Sequence, residues 1–227
     1  ASLRYKYEKT ALDVLRENDA SGNAVPITDL KLFPLDTASG DTSSVTGILE
    51  YDKRNDRFSP SKGVFASGSL EYAGLGGNLR YTKGNTTFRY FKKIFWEVVW
   101  RNNLSYSFIA SQDPNKEPPF NELFLLGGPY SLRGYRYFRV GKSVYSDFTY
   151  NRLRASPYNR TDDDARRLAN KPFGGKQQAL YQMEFEFPLI AEAGIKGVTF
   201  FDAGQAEDQI TSDNFYSDVG FGFRWFS

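Results

Sequence analysis

The chain has 227 residues, no Cys, no His and a formal net charge of +2. Without Cys there are no disulfides and no thiolate chemistry, and without His the commonest general base and metal ligand is missing. The near balance of charge gives no electrostatic footprint for nucleic acid. Aromatic residues make up 17% of the chain beside 20 Gly, a composition that favours β-strands joined by turns.

Hydropathy leaves two environments open. The sequence contains no stretch of about 18 consecutive apolar residues, so it predicts no membrane helix. The mean hydropathy of −0.53 fits either a soluble protein or a β-barrel with a polar interior, because barrel strands span the membrane by alternation. Ala1 opens directly on a strand pattern with no signal peptide, as expected of a mature or excised segment.

Period-two alternation predicts about eight antiparallel strands. The first begins at Leu3 and runs toward Val14, and a polar stretch follows to about Ser43. The next strands are predicted over 45–52, 66–72, 78–94 and 97–112, and the last three over 179–187, 198–204 and 215–227. Gly84 predicts that the strand over 78–94 is long or bulged, and Pro188 is expected to end the strand before it.

Two connections stand out. The segment Asp52–Gly63 is rich in Asp, Asn, Pro and Gly and predicts a turn. Residues 113–176 form a connection about twice as long as most loops in compact domains. Its segment 127–141 holds four Gly, three Tyr, one Phe and three Arg, so we expect an ordered loop that folds inward. Its polar run 151–170 is expected to be a solvated loop.

Three features favour an all-β, antiparallel transmembrane β-barrel domain over 1–227. Many strands approach the ~9–11 residues needed to cross a bilayer. Their polar faces carry charge, for example at Arg4, Arg101 and Glu186. Long polar connections alternate with short turns. The alternative is a soluble β-sandwich or a propeller fragment, whose apolar faces would meet in a shared core.

Four stretches resemble the BamA-type outer-membrane insertase superfamily, whose members include TamA and the two-partner secretion transporters. GGPYSLRGY at 127–135 is similar to the family's loop-six motif, with Leu132 in place of the usual Val. The others are YDKRNDRFSPSKG at 51–63, VTFFDAGQ at 198–205 and VGFGFRWFS at 219–227. The loop tip and FFDAG are specific in combination, and the resemblance extends from about Leu3 to the end.

The resemblance implies a segment of a sixteen-stranded barrel, from about the seventh to the fourteenth strand, without the family's POTRA domains. It implies a Gram-negative outer-membrane protein that folds and inserts other β-barrel proteins. The expected partners are the lipid bilayer, nascent outer-membrane β-barrel proteins and accessory lipoproteins that bind parts absent here. The alternatives are a TamA-like or two-partner-secretion polypeptide transporter, or a plain outer-membrane porin.

The loop tip is the predicted site, with Arg133 at its centre. An Arg inside a barrel needs partners, because an unpaired buried charge is very costly, and its planar fork suits carboxylates. Asp202 and Glu184 lie on the inward faces of later strands, and in the family the corresponding Arg pairs with acidic residues on these strands. From the residues alone, Arg133 could instead be a loop cation in solvent.

The neighbours of this Arg have predicted roles of their own. The pair Gly127 and Gly128 would allow a sharp re-entry of the loop, and Gly134 would let the backbone pass close to the wall. Tyr135 and Tyr137 would pack the tip against the lumen.

No catalytic constellation is present. Without His or Cys a nucleophile would need a Ser–Lys pairing, which the sequence does not offer, and no Lys-Ser/Thr follows the glycines of 127–141 as a phosphate loop requires. Glu184 and Glu186 could only mimic a glycosidase carboxylate pair. We therefore expect no enzyme activity, no cofactor and no bound metal.

Overall fold

The computed structural model describes residues 1–11, 16–18, 24–26, 39–145 and 147–225. In chain order its strands are β1 (Ser2–Thr10), β2 (Arg16–Asn18), β3 (Ala24–Pro26), β4 (Gly40–Asp52), β5 (Gly63–Ala73), β6 (Tyr81–Lys93), β7 (Val99–Ser111), β8 (Ser143–Tyr145), β9 (Asn170–Pro172), β10 (Gln177–Ile190), β11 (Ile195–Glu207) and β12 (Tyr216–Trp225). Two helices, α1 (Asp147–Arg154) and α2 (Asp162–Ala169), lie between β8 and β9.

Eight of the strands form a single sheet in the order β1-β4-β5-β6-β7-β10-β11-β12. All neighbours in it are antiparallel. Within the described residues no pairing joins β1 to β12, so the sheet is open. The strands of this sheet contain 9 to 14 residues, long enough to cross a bilayer. Two small two-stranded sheets, β2–β3 and β8–β9, lie outside it.

The two faces of the sheet meet different surroundings. The outer face carries many exposed apolar side chains, such as Leu70 at 54% and Phe221 at 78%. The opposite face, which we call the inner face, carries charged residues such as Glu184 and the fully buried Asp202. An apolar outer surface of this extent is characteristic of a barrel whose solvent is lipid.

The buried core lies on the inner face, where the connection after β7 packs against the strands. Its members are Ala73, Tyr81, Ile109, Leu180 and Ala206 from the strands and Phe124, Leu126, Leu132 and Val140 from the connection. Fully burying a side chain of this kind contributes about 1.5–3 kcal/mol. The connection therefore folds inward, as predicted from its aromatic content.

Strand β6 is long and not bulged. Its register with β7 is continuous through Gly84, and the Phe108 ring of β7 occupies the space that a side chain at Gly84 would need. Because Tyr81 and Phe88 are seven residues apart on one strand, they face opposite sides. Tyr81 is buried in the core and Phe88 is exposed on the outer face.

The prediction that Pro188 ends its strand is wrong. Strand β10 continues to Ile190, and its pairing with β11 is irregular between Pro188 and Ile190. Pro has no N–H for the ladder, so a strand tolerates it at such an irregularity. The turn follows directly after Ile190, at Ala191–Ala193, and Gly194 ends it with a left-handed φ of 67°.

The prediction of a solvated loop over 151–170 is also wrong, because this run contains the second half of α1 and all of α2. The Oγ1 of Thr161 caps α2 by accepting a hydrogen bond from the backbone N–H of Asp164 at 3.3 Å. Three Asp occupy its first turn and two Arg its last turn, which complements the helix dipole. The segment TDDDARR, residues 161–167, is therefore the capped start of a helix.

Part of the predicted N-terminal organisation lies outside the described residues. This applies to the extension of the first strand to Val14 and to most of the polar stretch before Ser43. The next strand begins at Gly40, earlier than the predicted start at Val45. No helix in the described part of the chain is both long and apolar enough to span a membrane.

The assignment of the two faces can be tested by placing a charge on each. We expect Leu70→Arg to destabilise the folded protein by about 2–4 kcal/mol, because an Arg in the middle of a lipid-facing strand must enter hydrocarbon. The matched control is Ser69→Arg, the adjacent position on the inner face, where the loss should be smaller. Equilibrium urea unfolding from phospholipid vesicles measures both, and equal losses would contradict the assignment.

Candidate functional site

Two glycines shape the loop that enters the inner face. Gly127 and Gly128 have φ values of 108° and 101°, which side chains rarely adopt. A Cβ on Gly127 would lie 2.2 Å from the carbonyl oxygen of Arg136, and one on Gly128 would lie 2.5 Å from the Tyr137 ring. The chain therefore folds back tightly on itself here, as the sharp re-entry predicted from these glycines requires.

The tip of the loop, residues 128–135, is held by backbone and side-chain contacts. The N–H of Gly128 donates to the carbonyl oxygens of Leu132 at 3.1 Å and Tyr135 at 2.9 Å. Leu132 is fully buried in the core. The Gln182 side chain of β10 donates to the carbonyl oxygen of Ser131 at 2.7 Å. Leu132 thus anchors the tip and presents the next residue, Arg133, to the sheet.

Arg133 lies between two carboxylates of adjacent strands. Its Nε donates to Oδ2 of Asp202 at 2.7 Å, its Nη2 donates to Oδ1 at 2.5 Å, and its backbone N–H donates to Oδ2 at 3.2 Å. Its Nη1 donates to Glu184. The guanidinium carbon also lies 3.7 Å from the centroid of the Phe200 ring. This is the bidentate geometry in which Arg binds a carboxylate most strongly.

The charged groups of this arrangement are buried, so losing one of them is costly. Asp202 is fully buried, and the side chains of Glu184 and Arg133 are only 13% and 16% exposed. A buried carboxylate that loses its cation is left uncompensated, which costs about 3–5 kcal/mol. The pair therefore fixes the loop to the sheet, because moving Arg133 away would leave the buried Asp202 carboxylate without its cation.

The ion pair belongs to a larger network that the sequence did not reveal. Arg224 of β12 donates to Glu184 at 2.8 and 2.9 Å and to Glu186 at 2.9 Å. Glu186 also binds Arg101 and, at 2.9 Å, Lys196. The network joins β7, β10, β11 and β12. Its one sequence signal was that Glu186 shares a strand face with Glu184.

The rest of the tip reaches the last strand of the sheet. A Cβ at Gly134 would lie 2.7 Å from Cβ of Asp218, so this glycine allows the close approach that was predicted for it. The hydroxyl of Tyr135 donates to the carbonyl oxygen of Ser217 at 3.2 Å. Tyr137 behaves differently from the prediction. Its ring is 58% exposed and lies against Gly128 of the loop itself.

A second attachment holds the start of the connection. Glu122 accepts hydrogen bonds from Lys83 at 2.7 Å and from Lys6 at 3.2 Å. Burial alone would raise the pKa of the Glu122 carboxyl group, but the hydrogen bond and charge of Lys83, together with Lys6, hold it below its ordinary value. Lys6 also lies 3.4 Å from Glu71. Sequence reasoning missed this cluster, because its members come from three distant strands and a loop.

Strands of membrane-spanning length, an exposed apolar outer face and a charged inner face with a docked loop define an outer-membrane β-barrel. The chain belongs to the Omp85 superfamily, whose domain matches residues 1–227. The fold is similar to the crystal structure of BamA from Haemophilus ducreyi lacking POTRA domains 1–3. The TM-score is 0.69 at 16% sequence identity, over 99% of this chain and 44% of that chain.

Two animal proteins are similar in sequence to part of the chain. A SAM50-like protein of Drosophila melanogaster is 29% identical over 96 residues, which is 42% of this chain and 22% of that protein. A sorting and assembly machinery component 50 homolog of Xenopus tropicalis is 27% identical over 119 residues, or 51% and 25% of the two chains. The chain thus corresponds to part of a BamA-type barrel and spans less than half of these proteins.

Truncating the loop cation tests the attachment. We expect Arg133→Ala to lower the free energy of unfolding by about 3 kcal/mol or more, because Asp202 stays buried without its partner. The matched control is Arg136→Ala, an exposed cation of the same loop, which should change it by no more than about 0.5 kcal/mol. Denaturant unfolding in detergent measures both, and similar losses would contradict the attachment.

Proposed function

We propose that this chain forms part of the barrel of an outer-membrane protein assembly factor, which folds β-barrel proteins and inserts them into the membrane. Membership of the Omp85 superfamily supports this. The fold is also similar to that of BamA. Part of the sequence is similar to a protein named as a sorting and assembly machinery component.

The observation that carries the proposal is the loop held against the sheet by Arg133. A porin uses its interior as an aqueous channel, whereas here the connection packs on the inner face and is tied to β10 and β11. Such a loop stiffens one wall of the barrel. We infer that Gly127, Gly128, Leu132, Gly134 and Tyr135 serve to position Arg133, and that Asp202 and Glu184 are its functional partners.

A stiff wall gives the remaining barrel a fixed support against which a client strand can be added. The driving force is the burial of the client's own apolar surface, about 25 cal/mol per Å². The chain then needs no catalytic residue and no cofactor, since it lowers a barrier and does not supply energy.

The proposed setting is the outer membrane of a Gram-negative bacterium, with 113–176 at the extracellular side and in the lumen. The similarity of the fold to a bacterial BamA is compatible with this setting. The proposed partners are the bilayer, nascent β-barrel proteins and accessory lipoproteins that bind other parts of a longer polypeptide.

Reconstitution tests the function directly. The complete natural polypeptide in phospholipid vesicles should accelerate the folding of an unfolded β-barrel client, measured by heat-modifiable gel mobility and protection from external protease. Arg133→Ala should slow this folding about tenfold, which corresponds to about 1.4 kcal/mol in the barrier, while Arg136→Ala should not.

Two results would contradict the proposal. Folding that is no faster than in empty vesicles would exclude an insertase. Delivery of an extended client into the vesicle interior without membrane insertion would favour a secretion transporter of the same superfamily.

A further inference from the structure

A second group of arginines lies on the inner face, beside the Arg133 network. The Nε of Arg89, on β6, donates a hydrogen bond to Oδ1 of Asn103 at 3.3 Å. Within the described residues this is the only hydrogen bond of its side chain, and both of its terminal nitrogens are left without an acceptor. Its guanidinium carbon lies 5.6 Å from the centroid of the Phe65 ring. A complete guanidinium fork is thus available to a ligand.

Two further arginines lie near Arg89. Arg54, from the turn after β4, approaches the same Phe65 ring at 4.8 Å and is neutralised by Asp52 in a bidentate pair. Arg101 lies on the neighbouring strand β7. Like charges that lie close together repel each other, so an anion placed among them would be stabilised.

Arg101 adds a second set of available donors. Its side chain is only 15% exposed, yet one of its terminal nitrogens binds Glu186 and the other two nitrogens have no acceptor among the described residues. The carboxylates nearby are already paired with other cations. Glu186 already binds three cations and Glu184 binds two.

A cavity of about 220 Å³ connects these groups. Arg89, Arg101 and Arg224 line it together with the amide side chains of Asn103 and Gln182, and Glu184 is its one carboxylate. The lining therefore offers several N–H donors and an excess of positive charge. Its volume is small, which suits a compact anionic group.

We propose that Arg89 and Arg101 form an oxyanion-binding site on the inner face of the barrel, which takes a single phosphate or carboxylate group. Guanidinium forks bind both groups in a bidentate manner. The anion has two possible sources: a free or lipid phosphate, or a carboxylate side chain from another part of a longer polypeptide. The site does not depend on the proposed insertase activity.

The probe is inorganic phosphate, added to the complete natural polypeptide in an uncharged detergent at constant ionic strength set with chloride. If the source is a phosphate, calorimetry should detect one site, and Arg89→Gln should weaken its affinity about tenfold or more, equivalent to about 1.4 kcal/mol. Arg89→Lys keeps the charge and loses the fork, so it should fall in between. Lys92→Gln, on the same strand but the outer face, should bind like wild type.

If the source is a carboxylate of the polypeptide, phosphate should not bind, but Arg89→Gln should lower the unfolding midpoint by about 2–4 °C while Lys92→Gln does not. An empty site makes the opposite prediction, because removing Arg89 would then relieve repulsion from Arg101 and Arg54. The proposal is overturned if wild type binds no phosphate and Arg89→Gln is as stable as wild type or more stable. Phosphate binding that Arg89→Gln leaves unchanged would overturn it as well.

Discussion

The salt bridge between Arg133 and Asp202 is the interaction on which the arrangement of the inner face depends. Asp202 is fully buried on β11, and a buried carboxylate is tolerated only with a well-placed cation. Its cation comes from a loop about seventy residues earlier in the chain. The free energy of burying this charge therefore ties the loop to the sheet, and the apolar packing of Leu132 directs the loop to the same place.

The attachment has consequences for the rest of the wall. Glu184 accepts hydrogen bonds from both Arg133 and Arg224, so β12 is linked to the same loop. Glu122 holds the beginning of the connection on β6 and β1. A connection fixed at two separated places braces both halves of the sheet. For the proposed assembly function, such a brace would keep the chain's own strands folded while neighbouring lipid is disturbed.

The sequence was informative where a local rule decides the structure. Alternation predicted the strand over 66–72, and it placed Glu184 and Asp202 on inward faces, which is the side that receives the loop. It failed where pairing depends on distant segments. Nothing local indicates that Lys6 meets Glu122 or that Arg101 meets Glu186, since register and loop path bring them together. The helix at Asp162–Ala169 was missed for another reason, because its capping signal was interpreted only as charge.

A double-mutant cycle on Arg133→Ala and Asp202→Asn measures the central interaction most directly. The free energy of unfolding of wild type, both single variants and the double variant, determined by denaturant titration in detergent, gives the coupling between the two side chains. We predict a coupling of about 2 kcal/mol or more, within the range of about 0.5–3 kcal/mol for residues in contact. Additive losses with no coupling would contradict a salt bridge that holds the loop on the wall.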